Sequence, residues 1–93
     1  MMFSITSPVV KLYKDELGLK QGDGLQLFCR YAGSESGLCI GVEKGKPTEE
    51  DYVQEIDGIH FYVKPHEVWF VEKMSMDYDD IDEQFTINLP SIA

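Results

Sequence analysis

The chain has few cysteines, few cations and no long apolar run. Its 93 residues hold two cysteines, Cys29 and Cys39, in a Cys-x9-Cys spacing that matches no common zinc or haem pattern. Two thiols do not make a disulfide framework, so both read as small buried hydrophobes. Eight basic residues stand against seventeen acidic ones, for a formal charge of −9. That imbalance argues against nucleic acid and anionic membrane surfaces as partners, because both need a positive patch. No stretch approaches the roughly 18–20 apolar residues that cross a bilayer. The opening MMFSITSPVVK has no basic, then apolar, leader pattern. The expectation is a cytoplasmic protein.

Catalytic signatures are missing as well. There is no GxSxG, no phosphate-binding Gly-x4-Gly-Lys-Ser/Thr and no GxGxxG. Nucleophilic catalysis needs a Ser or Cys beside a positioned base, and the Gly33-Ser34-Glu35-Ser36-Gly37 stretch joins two strands rather than a strand and a helix. The expectation is therefore a protein that is not an enzyme. The acidic run DYDDIDE, residues 77–83, fails the calcium-loop template, because Ile81 and Asp82 stand where an acid and a glycine are needed. It reads as a solvated turn. His60 and His66 share neither a helix turn nor a knuckle with another ligand, so the metal assignment stays open.

What is present suffices for one domain with one core, residues 1–93, with 43% apolar residues and eleven Tyr, Phe and Trp side chains. SPVVKLYKDELG, residues 7–18, predicts an amphipathic helix. Ser7 serves as N-cap, Pro8 sits at the first turn, Val9, Leu12, Tyr13 and Leu17 share a face, and Gly18 stops it. After a turn at QGDG, residues 25–31 and 37–43 alternate as strands. Cys29 falls on the apolar side of the first, and Cys39 on the glycine-and-acid side of the second. Thr48–Asp51 fits a single capped turn. YVQEI and IHFYV flank Asp57-Gly58, a dipeptide suited to a two-residue hairpin turn. PHEVWFVEK fits a short helix or a strand, with the helix favoured. MSMDY alternates Met74, Met76 and Tyr78 with Ser75 and Asp77, and QFTINLP alternates Phe85, Ile87 and Leu89 until Pro90. Four to six strands after one helix predict an α+β domain built on an antiparallel or mixed sheet.

In order, these segments resemble a known family. SITSPVVKLYKDELG is similar to the opening helix of the HesB-like, A-type iron–sulfur carriers. LQLFCRYAGSESGLCIGVE resembles their strand, Gly-Cys-Ser-Gly loop and strand. EEDYVQEIDGIHFYV resembles their D-x-V-x-E-x-D-G-I hairpin, and MDYDDIDEQFTINLP their closing strands. The resemblance implies a HesB-like, barrel-shaped β-sandwich with an N-terminal helix, a homodimer, partners in the iron–sulfur assembly machinery and an iron or 2Fe–2S or 4Fe–4S cofactor. Family members bind it with one loop cysteine and two in a Cys-Gly-Cys tail. Here the loop position falls on Ser34, or Ser36 with a gap, and Leu-Pro-Ser-Ile-Ala stands where the tail would follow. Ser34, Cys29 and Cys39 are then the candidate cofactor-binding residues. The functional expectation is an iron–sulfur assembly protein of the A-type carrier kind. The alternative is a metal-free interaction or regulatory module on the same scaffold.

Overall fold

The computed structural model describes residues 2–31 and 38–92, without the side chains of Leu38 and Ile92. Seven strands form two sheets around one core. They are β1 (Ser4–Ile5), β2 (Gly24–Tyr31), β3 (Leu38–Gly45), β4 (Tyr52–Ile56), β5 (Ile59–Val63), β6 (Ser75–Asp79) and β7 (Gln84–Asn88). Helix α1 (Ser7–Leu17) follows β1, and a short 3-10 turn (Pro65–Glu67) runs into α2 (Val68–Val71). One sheet has the order β1-β6-β7 and the other β3-β2-β5-β4. Two pairings are parallel, β1 with β6 and β2 with β5, and the rest are antiparallel.

Local chemistry explains most elements. Asp57 and Gly58 both have positive φ, 51° and 85°, which a type I′ turn requires and which Asp-Gly accepts at low cost. Gly18 closes α1 in the left-handed conformation at φ 65°, its N–H donating to the Lys14 carbonyl. The start of α1 differs from expectation. Thr6, not Ser7, is the N-cap, and its hydroxyl does not cap the helix but donates to Asp77 Oδ1 at 2.9 Å. The reason is strand β1, too short at two residues to be legible in the sequence. The Thr6 N–H continues its ladder onto the Met76 carbonyl, so the chain enters the helix straight from a strand.

Phe3, Val9, Val10, Leu25, Leu27, Ile59, Phe61, Val63, Phe70, Val71, Met74 and Met76 form the buried core, drawn from both sheets and both helices. Gln54 is the one polar residue buried among the described residues. Its Nε2 donates to the Phe3 carbonyl at 2.7 Å, and its Oε1 accepts from Tyr52 Oη at 2.9 Å. The adjoining segment donates from Ser4 N to the Met74 carbonyl and accepts from Lys73 N at the Met2 carbonyl. The N-terminal segment is thus stitched to β4 on one side and to the start of β6 on the other. The two sheets stay separate as ladders, and the Gln54 side chain ties the edge strand β4 of one to the segment that leads into β1 of the other.

The connection from β3 to β4 links opposite edges of its sheet. Asp51 anchors its far end, with Oδ2 accepting from Thr48 N at 2.8 Å and from Lys64 Nζ at 3.1 Å. The Thr48 backbone bond, and then Lys64, hold its carboxyl below the usual carboxylate range. A depressed folded-state value stabilises above the unfolded value near pH 4 and is lost as pH falls through the folded one. Asp51→Asn is therefore expected to lower the urea midpoint at pH 7, with the difference closing toward pH 3; an equal difference at both pH values would refute this. Gln54→Ala is expected to cost about 1–3 kcal/mol, because it strands the Phe3 carbonyl in the core. Urea denaturation reads that loss, and a change below about 0.5 kcal/mol would show that the stitch is not structural.

Candidate functional site

The candidate ligands lie where β2 and β3 approach the loop between them. Ser34 and Ser36 are outside the described residues. Cys29 and Cys39 are both half-buried free thiols, and the strand register decides their relation. Cys29 stands opposite Ile40, and Arg30 opposite Cys39. Directly paired residues of an antiparallel ladder share a face, and neighbours along a strand do not. Cys29 therefore shares the inner face with Leu25, Leu27 and Val42, packed against the core. Cys39 shares the outer face with Phe28, Arg30 and Gly41. Within one chain the register puts the two thiols on opposite faces of the sheet.

The outer face has its own packing logic. The Phe28 ring lies over Gly41 of β3, in the space a Cβ would take. A larger residue at position 41 would displace the ring, so this glycine is explained by an aromatic neighbour and not by a ligand.

Cys29 has a second neighbour that the sequence did not single out. β2 pairs with β5 only from Gly24 to Gln26. Beyond that point Cys29 N donates 2.6 Å to Glu67 Oε2, a largely buried carboxylate delivered by the 3-10 turn after β5. The turn supplies the acceptor that a longer β5 would have supplied. Its effect on the thiol is unfavourable for ligation. Burial pushes the Cys29 thiol above its ordinary value, and the Glu67 carboxylate pushes it further, followed by Cys39. A thiol so placed is less often the thiolate that binds iron or attacks an electrophile. Pro65 just before this turn marks its start, but nothing in PHEVWFVEK points to β2.

The histidines stand apart. His60 is on the outward side of β5, 3.7 Å from Glu55, and His66 is exposed, 3.6 Å from Glu67. Among the described residues no group of three or more His, Cys, Asp or Glu is arranged to hold a metal ion. Among the described residues no helix is long and apolar enough to cross a membrane.

Known proteins share this architecture. No family model matches the chain. A pyruvate dehydrogenase inhibitor of Bacillus subtilis is 33% identical over 89 residues, covering 89% of this chain and 94% of that protein. An uncharacterised protein of Staphylococcus saprophyticus is 30% identical over 92 residues, covering 89% and 94%. Among solved structures, Escherichia coli SufA, involved in biosynthesis of iron–sulfur clusters, superposes with a TM-score of 0.67 at 16% identity, over 96% of this chain and 86% of that one. A protein of Aquifex aeolicus gives 0.64 at 24% identity, over 97% and 93%. The chain has the HesB-like fold, as its ordered motifs imply.

The opposed thiols generate a prediction. Mild oxidation of the folded monomer is expected to yield no Cys29–Cys39 disulfide, since their Cβ vectors point apart. Iodoacetamide should modify Cys29 more slowly than a free thiol, and faster in Glu67→Gln. Peptide mass spectrometry reads both, and a quantitative intramolecular disulfide would overturn the placement.

Proposed function

This chain belongs to the family of the pyruvate dehydrogenase inhibitor of Bacillus subtilis, and from that premise we propose that it is a metal-free regulatory protein. It acts by binding a pyruvate dehydrogenase complex and lowering its activity, not by chemistry of its own. The observation that carries this reading is the extent of the relationship. One-third identity runs through 89% of this chain and 94% of the relative, so the whole domain is shared and not one motif.

The cluster site supports the same reading. By the resemblance, Ser34, or Ser36 with a gap, falls where the carrier family has its loop cysteine, and a serine hydroxyl deprotonates far less readily than a thiol. Cys29 and Cys39 face opposite sides of the sheet, and the first is held protonated by burial and by Glu67. A surface of net charge −9 suits steering toward a basic face of a protein complex.

The shared fold with SufA favours a second reading, a role in iron–sulfur assembly. In that case the chain would contribute a scaffold to partners of the assembly machinery, or pair with a second copy of itself to gather thiols.

One experiment separates the two. Purified protein is titrated into pyruvate dehydrogenase complex while NADH formation is followed. In parallel it is incubated anaerobically with iron and sulfide. The expected result is saturable inhibition, equal for the wild type and for Cys29→Ser/Cys39→Ser, with no visible charge-transfer absorbance. No inhibition at several-fold excess over the complex would sink the regulatory reading. Stoichiometric iron with absorbance lost in the double variant would establish the assembly reading instead.

A further inference from the structure

We propose that the free edge of β7 is a docking site for an extended, basic segment of a partner protein, which adds to the β1-β6-β7 sheet as a further strand. This deepens the regulatory reading and rests on it, since it names the surface through which the chain would bind its target.

β7 pairs with β6 on one side and, among the described residues, with no strand on the other. All five of its residues, Gln84 to Asn88, are exposed. An edge strand leaves alternate backbone N–H and C=O groups unpaired, and natural proteins normally guard such an edge with lysine, proline, a bulge or a covering element. β7 has no charged residue and no proline. The other sheet edges contrast with it: β3 carries Glu43 and Lys44, β4 carries Glu55 and is tied to Phe3 by Gln54, and β1 is only two residues long.

The side chains add a recognition surface. Tyr78 and Met76 stand opposite Phe85 and Ile87 in the ladder, so these four share a face. Met76 is buried, but Phe85 and Ile87 keep 37% and 38% of their surface exposed. Phe85 meets Tyr13 of α1 and Tyr78, with ring centroids 6.2 and 6.3 Å away. The helix thus covers only part of an apolar row that continues to the open edge. Exposed apolar side chains beside unpaired backbone are the two elements of recognition by strand addition, the backbone supplying affinity and the alternate side chains specificity.

Charge identifies the occupant. Residues 74–93 contain Asp77, Asp79, Asp80, Asp82 and Glu83 and not one Lys or Arg. Four of the five acids sit at the β6–β7 turn, around Ile81, which is 88% exposed. A second copy of this chain would bring the same negative field to the same edge, whereas a lysine- or arginine-bearing strand would be drawn to it.

The test uses fluorescein-labelled octapeptides read by fluorescence anisotropy, one alternating lysine and valine, the other aspartate and valine. The lysine peptide is expected to bind and the aspartate peptide not. Ile87→Lys and Phe85→Lys should each weaken binding by at least about tenfold, while Val53→Lys on the exposed side of β4 should leave it unchanged. Hydrogen exchange should show new protection at Gln84–Asn88. No binding, binding indifferent to Ile87→Lys and Phe85→Lys, or protection confined elsewhere would overturn the proposal. So would a dimer, seen by sedimentation of the protein alone, that Ile87→Lys dissociates, since a second copy would then be the occupant. The peptide assay contains no pyruvate dehydrogenase complex. Inhibition of the complex with no peptide binding therefore sinks the edge site alone. Peptide binding with no inhibition sinks the regulatory reading alone.

Discussion

The fold depends on the seam where the N-terminal segment joins the two sheets. β1 is two residues long and could not hold a strand pairing by itself. It is held because Gln54 reaches from β4 to the Phe3 carbonyl while backbone bonds tie residues 2, 4 and 6 to Lys73, Met74 and Met76. A buried amide is tolerable only when its polar atoms are satisfied, and here Tyr52 and Phe3 satisfy both ends of Gln54. The seam lets Phe3 and Ile5 fill the space between the sheets, and it launches α1 across β6.

Closing one seam decides what the other strands do. Gln54 ties β4 to the segment before β1, and the opposite edges of the two sheets are β7 and β3. β3 is anchored along its full length to β2, eight residues against eight. β7 holds only to β6 and meets the helix through Phe85. The short β2–β5 pairing has a comparable consequence at the other end of the molecule. It leaves the Cys29 amide to be satisfied by the Glu67 carboxylate, and that same carboxylate helps keep the neighbouring thiol protonated. Backbone satisfaction and thiol chemistry are coupled there through one side chain.

Much of this was legible before any coordinates. Asp57-Gly58 specified its hairpin because a type I′ turn admits few other dipeptides. The alternation of LQLFCRY against LCIGVE placed Cys29 and Cys39 on different faces, and the register agrees. What stayed hidden has physical causes. β1 is too short for periodicity, and the Thr6 hydroxyl serves Asp77, seventy-one residues away, so local capping rules named the wrong residue. Glu67 reaches β2 through tertiary placement that no local pattern encodes. Phe85 and Ile87 alternate as a half-buried strand should, yet they remain exposed, and among the described residues no strand pairs beyond β7. Periodicity reports which face of a strand is apolar, not whether a neighbour arrives to cover it.

That distinction bears on how a carrier fold can serve regulation. Binding a cluster asks for several thiolates converging on one cavity, and each lost ligand removes a bond that nothing else in the site replaces. Binding a protein asks for far less of the loop and more of the surface: an edge, an apolar row and complementary charge. The open edge and apolar row of β7 and the acids of the β6–β7 turn lie away from the loop between β2 and β3. The core, the Gln54 seam and the Asp57-Gly58 hairpin are built from residues outside that loop. Cys39 is a half-buried side chain on the Phe28–Gly41 face.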